Sequence, residues 1–180
     1  IDEHGQIAPV SLYGASKFFG EQLTRFYASK LHATPIILRY GHIYGPGEFA
    51  YQKLIPELIR KMLKGQSITI QGDGSALRDF LYVDDLVNAT LSAAVNVSSD
   101  IGPINLVSGQ SISIKVLVEK LADLLNFEGS IDFDLSMTSG RSLMFDNTKM
   151  KQILGDLILT PFDEGLKHEC DNFIKLVALS

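Results

Sequence analysis

Apolar and polar positions follow two different periods along this chain. Across residues 15–31, Phe19, Leu23, Phe26 and Tyr27 recur at helical spacing, with Lys17, Glu21, Thr24 and Arg25 elsewhere on the wheel. The pattern predicts a helix that Pro35 brings to a stop, and Ile36, Ile37 and Leu38 then read as a short strand buried on both faces. Leu54, Leu58, Ile59 and Met62 share a stripe, predicting a helix over residues 55–63 that Gly65 ends. Residues 67–71 alternate like a strand and run into the turn Gly72-Asp73-Gly74.

The next helix carries Leu86, Val87, Leu91, Ala94 and Val95, with Asp84 or Asp85 as its cap. Residues 104–107 read as another short buried strand. Ser113 is the expected cap of a helix over residues 114–126, with Val116, Leu117, Leu121, Leu124 and Leu125 as its buried face. Thr160-Pro161-Phe162-Asp163 joins a cap candidate, a proline at the first helical position and an acid at the third. The helix it opens places Phe162, Leu166, Cys170, Phe173 and Val177 along one side, which makes Cys170 a small core residue rather than a reactive thiol. Strand-like and helix-like runs alternate without a repeat or a Pro/Gly/Ser linker, the α/β pattern.

Composition narrows the partners. The 16 basic and 21 acidic residues leave a net charge of −5, which argues against a nucleic-acid partner. One cysteine excludes an intramolecular disulfide framework, and the spacing of His4, His32 and His168 suggests no metal. No apolar run reaches the roughly 18 residues of a membrane span. The chain starts at Ile1 with no charged-then-apolar leader, so a soluble, cytoplasmic protein is expected. Its 180 residues suit one generous domain or a piece of a larger one.

The chemistry concentrates at Tyr13 and Lys17, four apart at the start of a helix and so on one face. A phenol titrates near pH ~10, and an adjacent ammonium favours the phenolate, so the pair could take a proton from a substrate hydroxyl. The same spacing also occurs on solvated helix faces. Around the pair, Pro9-Val10-Ser11-Leu12-Tyr13-Gly14-Ala15-Ser16-Lys17 with Glu21 resembles the extended short-chain dehydrogenase/reductase family. It is most similar to the NAD-dependent nucleotide-sugar epimerases and dehydratases, in which P-x-S-x-Y-G-x-S-K opens the catalytic helix. Three further blocks match in order: residues 38–47 (LRYGHIYGPG), 72–85 (GDGSALRDFLYVDD) and 105–109 (NLVSG).

The resemblance implies the C-terminal part of a Rossmann-like NAD(P)-binding fold plus the smaller α/β substrate-binding domain. Residues 1–47 would hold the catalytic helix and a late strand, 48–100 a substrate-domain segment with a helix return, 101–110 the returning Rossmann strand, and 111–180 the C-terminal substrate-binding segment. It implies Tyr13 as the base and Lys17 as the holder of the nicotinamide ribose, with Tyr40 and His42 on the cofactor side. His42, Arg78 and Arg141 would contact a nucleotide-diphosphate sugar, processed through a transient keto-sugar while NAD is retained. Phe18, Phe19 and Phe26 would supply a homodimer interface through the Tyr13–Lys17 helix. A non-catalytic nucleotide-sugar-binding or regulatory module on the same scaffold is the alternative.

Individual residues keep simpler readings open. Arg78 could pair with Asp79, Arg141 could be a surface arginine, and His42, standing where the family often has asparagine, could be satisfied by backbone. Arg39 reads as structural, and Asp84 and Asp85 as helix caps. The Gly72-x-Gly74 pair is a turn, and no strand-to-helix glycine-rich loop for a pyrophosphate is found, nor an upstream catalytic Ser or Thr. The expectation is therefore a C-terminal portion that by itself binds NAD poorly and turns over little.

Overall fold

The computed structural model describes residues 1–155 and 157–178; Asp156, Leu179 and Ser180, within the expected 111–180 segment, lie outside the described residues. In chain order the elements are α1 (Leu12–Leu31), β1 (Leu38–Tyr40), β2 (His42–Tyr44), α2 (Leu54–Leu63), β3 (Ile68–Gln71), β4 (Leu77–Tyr82), α3 (Val83–Asn96), β5 (Ile104–Leu106), β6 (Ser111–Ser113), α4 (Ile114–Leu125), β7 (Ile131–Asp134), α5 (Thr148–Leu154) and α6 (Phe162–Ala178). The α/β class expected from the sequence is what the chain adopts.

Parallel pairing dominates. β1 pairs with β5 in the register Leu38 to Ile104, β2 with β4 in the register His42 to Phe80, and β3 with β7 in the register Ile68 to Ile131. β6 joins β4 antiparallel. β4 is the divider of the molecule, because alternate strand residues face opposite ways. Phe80 and Tyr82 enter one core with Tyr44, Ile59, Leu117, Leu166 and Phe173. Leu81, between them, enters a second core with Ala89, Ala93, Ile104, Leu106 and Met150. Gly165 lets α6 close on this sheet: a Cβ there would stand 2.8 Å from the Tyr82 ring.

Several elements differ from the sequence reading, each for a local reason. The strand expected at residues 36–38 is displaced to Leu38–Tyr40, although the Ile37 carbonyl still accepts from the Ile104 N–H. α1 starts three residues earlier than expected, because the Ser11 hydroxyl accepts from the Gly14 N–H at 3.0 Å. The N-cap of α3 is Tyr82, not Asp84 or Asp85, which lie in the first turn. Asp85 instead accepts from the Thr160 N–H and hydroxyl at 2.8 and 3.0 Å, and α6 begins at Phe162, one residue later than expected. α3 buries Asp85, Ala89 and Ala93, leaving Val87, Leu91 and Val95 exposed. Ser113 caps α4 as expected, accepting from the Val116 N–H, but Val116 itself is exposed and Val118 is buried in its place. Cys170 is buried with Leu166 and Phe173, its thiol pushed up to about 12 by that burial, while Val177 at the end of the same stripe is exposed. β2, β6, β7 and α5 had no counterpart in the reading; each is short.

Candidate functional site

Tyr13 lies in the first turn of α1, one turn before Lys17, whose Nζ stands 5.3 Å from the Tyr13 ring centroid. Both side chains are exposed, the tyrosine to 72%. Gly14 fits tightly beneath them: a Cβ there would meet Ser11 Oγ at 3.3 Å and Pro9 at 3.5 Å. Farther along α1, Glu21 accepts two hydrogen bonds from Arg39 on β1, each 2.8 Å, and this pair ties the helix to the sheet. The hydrogen bonds that Arg39 donates to Glu21 raise its pKa above the ordinary value, against the opposing effect of burial. Arg39 is thus structural, as the sequence suggested.

A cavity of about 1070 Å³ opens between β2, α2, β3 and β4. His42, Lys53 and Arg78 meet Leu54, Ile55 and Ile68 in its wall, so two cationic side chains and an imidazole face an apolar floor. Arg78 donates from Nη1 to the carbonyls of Leu77 and Arg141, both at 2.8 Å, which fixes the guanidinium. The alternative ion pair with Asp79 is not formed. The Asp79 carboxylate is fully occupied elsewhere, accepting from the Ser108 N–H, the Ser108 hydroxyl and the Gly109 N–H, each at 2.8 Å. Arg141 contributes its carbonyl to Arg78, but its own side chain is exposed and stands outside the cavity wall.

His42 packs edge-on against Phe80, with ring centroids 5.8 Å apart. Its Nδ1 is buried without a hydrogen-bond partner, while the ring is hydrogen-bonded to the Asp79 backbone. Burial first, then the charge of Arg78, lowers the His42 pKa below 6.5, leaving the ring neutral at neutral pH. Tyr40 belongs to a different hollow, of about 170 Å³, which it lines with Arg39, Gly41 and Asn105. Its hydroxyl lies 3.2 Å from Thr90 Oγ1. The structure therefore brings His42 and Arg78 into one cavity, sets Tyr40 beside another, and leaves Tyr13 and Lys17 on the face of α1 outside both linings.

One cluster escaped the sequence reading. Glu169 of α6 is completely buried near Glu48, which is itself buried and paired with Lys53. The signal was present: Glu169 falls three residues after Leu166 and four before Phe173, squarely on the apolar side of its helix.

The model of the NAD dependent epimerase/dehydratase family matches residues 1–107. The chain belongs to this family. Its α/β fold is accordingly Rossmann-like, of the extended short-chain dehydrogenase/reductase kind. The dTDP-4-dehydro-6-deoxyglucose reductase of Escherichia coli is 31% identical over 98% of this chain and 55% of its own length. A crystal structure of UDP-glucose 4-epimerase from Thermotoga maritima with UDP-glucose superimposes with a TM-score of 0.89 at 27% identity, over 98% of this chain and 58% of that one. The UDP-glucuronic acid 4-epimerase of Bacillus cereus, in complex with NAD, gives a TM-score of 0.86 at 28% identity over 98% of this chain and 56% of that one. The chain spans about half the length of the curated relatives it matches.

Proposed function

We propose that this chain supplies the base and the substrate cavity of an NAD-dependent nucleotide-sugar epimerase or dehydratase. The observation that carries this is the cavity in which fixed Arg78 and neutral His42 share a wall with apolar Leu54, Ile55 and Ile68. A diphosphate suits the planar, permanently charged guanidinium, and a base or sugar face suits the apolar floor. The relatives bound to UDP-glucose and to NAD support the same reading.

Tyr13 and Lys17 fit the ribose end of a nicotinamide cofactor: an exposed ammonium can donate to ribose hydroxyls while the phenol stays free for substrate. Tyr40 and His42 extend that side. NAD, when bound, supplies hydride acceptance. The part played by Tyr13 is to accept the proton of the sugar hydroxyl; Lys17 holds the ribose, and Arg78, its guanidinium fixed by the Arg141 carbonyl, holds the diphosphate. Residues 1–47 and 101–110 would then serve the cofactor side, and 48–100 and 111–180 the substrate side.

The exposed stripe of α1, with Phe19, Leu23, Phe26 and Tyr27 on the side away from Ala28, is proposed as a homodimer contact. Phe18 is half-buried and contributes less than the sequence suggested.

Turnover of UDP-sugars by the protein and its Tyr13→Phe variant tests the catalytic assignment. Loss of general-base catalysis should lower kcat by roughly 10²–10⁴-fold with little change in the affinity for UDP. Equal turnover in the two proteins would remove Tyr13 from the chemistry and favour a binding module.

A further inference from the structure

Three acceptor oxygens on α6 are buried without a donor: both carboxyl oxygens of Glu169 and Oδ1 of Asn172. Glu169 is 0% exposed, and an ionised carboxylate so placed loses its hydration, which the Gly45 backbone and Lys53 offset only in part. The groups that face it come from several elements. Glu48 and Lys53 belong to the segment entering α2, together with the backbone of Gly45. Tyr44 of β2 and Tyr82 of β4 stand within reach of its charge, and both hydroxyls are engaged elsewhere, with the Phe162 carbonyl and His168 respectively. The α4 lysine nearest this helix, Lys120, is bound to Asp163. Burial, and then Glu48, push the Glu169 carboxyl up to about 8, so it keeps its proton at neutral pH.

Glu48 and Lys53 both line the cavity, whereas Glu169 does not. Lys53 pairs with Glu48 and also donates to the Ile43 carbonyl at 3.3 Å. The middle of the same segment is clamped by Arg60, which donates to the carbonyls of Phe49 and Tyr51 at 2.7 and 2.8 Å. One lysine therefore fixes the inner end of the segment, and two carboxyl groups are within its influence.

We propose that Glu169 is a positioning residue of the cavity: while protonated it leaves Lys53 to Glu48 and keeps the wall closed on a nucleoside diphosphate, and its ionisation repels Glu48, draws Lys53 inward and loosens that hold. The step is a proton passing from the carboxyl to solvent, with no other bond changed. As to the ligand, the inference rests on the cavity reading given above.

Two readouts on the whole protein separate the inference from that reading. Coupled carboxyls report one another's titration, so carbon-13 carboxyl spectra of Glu48 should show an inflection near pH 8 that is lost in Glu169→Gln. An unchanged inflection in the variant, or none in the wild type, overturns the proposal. Calorimetric titration with UDP should give an affinity that falls several-fold through the same pH in the wild type and stays level in Glu169→Gln; parallel profiles also overturn it. If UDP fails to bind at any pH while the Glu48 inflection behaves as expected, the cavity reading fails and the positioning of Glu48 stands. Should Glu169→Gln not fold, Glu48→Gln serves instead: removing the like charge must move the titration of Glu169 to lower pH, and an unmoved titration refutes the coupling.

Discussion

α1 and α6 are alike in sequence and opposite in surroundings. Each is a long helix with an apolar stripe and an ionisable group of interest. α6 buries Gly165, Leu166, Glu169, Cys170 and Phe173, whereas α1 buries Ala28 alone. Hydrophobic periodicity reports that a helix has a face to cover; it does not say what covers it. The difference also sorts the chemistry. Tyr13, the proposed base, stands in the open, while Glu169 meets only protein and is held in one place by packing.

The largest effect that could break this comparison is on stability. Phe173 is fully buried against Phe49, with ring centroids 5.3 Å apart, so Phe173→Ala should cost about 3–5 kcal/mol in denaturant unfolding. A loss below about 1 kcal/mol would mean that α6 is packed no better than α1.

Less was legible in the sequence where partners are distant along the chain. Ser113 announced its cap and the Phe162–Phe173 stripe announced its core, because both depend on neighbours one or two turns away. The blocks around Tyr13, Arg78 and Asn105 were enough for the family. The roles of Asp79, Asp85 and Thr160 were not readable: Asp79 is consumed by the Ser108–Gly109 turn 29 residues on, and Asp85 by Thr160, 75 residues on. Val87, Leu91 and Val95 misled for the same reason as α1: the second core is satisfied by Ala89 and Ala93, and small residues give a weak hydrophobic signal.

A second, pH-dependent effect distinguishes the two helices. The folded chain holds the Glu169 proton more tightly than an unfolded one, since its carboxyl sits at about 8 against an ordinary 4.5. Its stabilising contribution is therefore complete below pH 4.5 and lost as pH rises through 8. Denaturation midpoints of the wild type should decline over that interval more steeply than those of Glu169→Gln. Equal slopes would mean that the carboxyl is solvated and that α6, like α1, tolerates an open charge.

Weaker still is the tie that keeps α1 in place. Glu21→Gln replaces one half of the two-bond pair with Arg39 by a neutral group, and the charge-assisted bonds should weaken by about 1–2 kcal/mol. Because α1 has little else to hold it, the loss should appear as local opening, seen in faster amide exchange along α1 with the exchange of α4 and α6 unchanged. Uniformly faster exchange would show that the helix is part of the main cooperative unit after all.

The smallest effect on folding is the most informative about what α1 is for. Phe26 is 56% exposed, so Phe26→Ala removes little buried area within one chain and should shift unfolding by no more than about 0.5 kcal/mol. In a dimer formed through the α1 stripe the same ring is covered twice, once in each copy, and its loss weakens association at both symmetric positions. Light scattering should then show Phe26→Ala dissociating at concentrations where the wild type stays paired, with unfolding of the separated chains unaltered. A variant that associates as the wild type does would leave the stripe without a second copy to cover it.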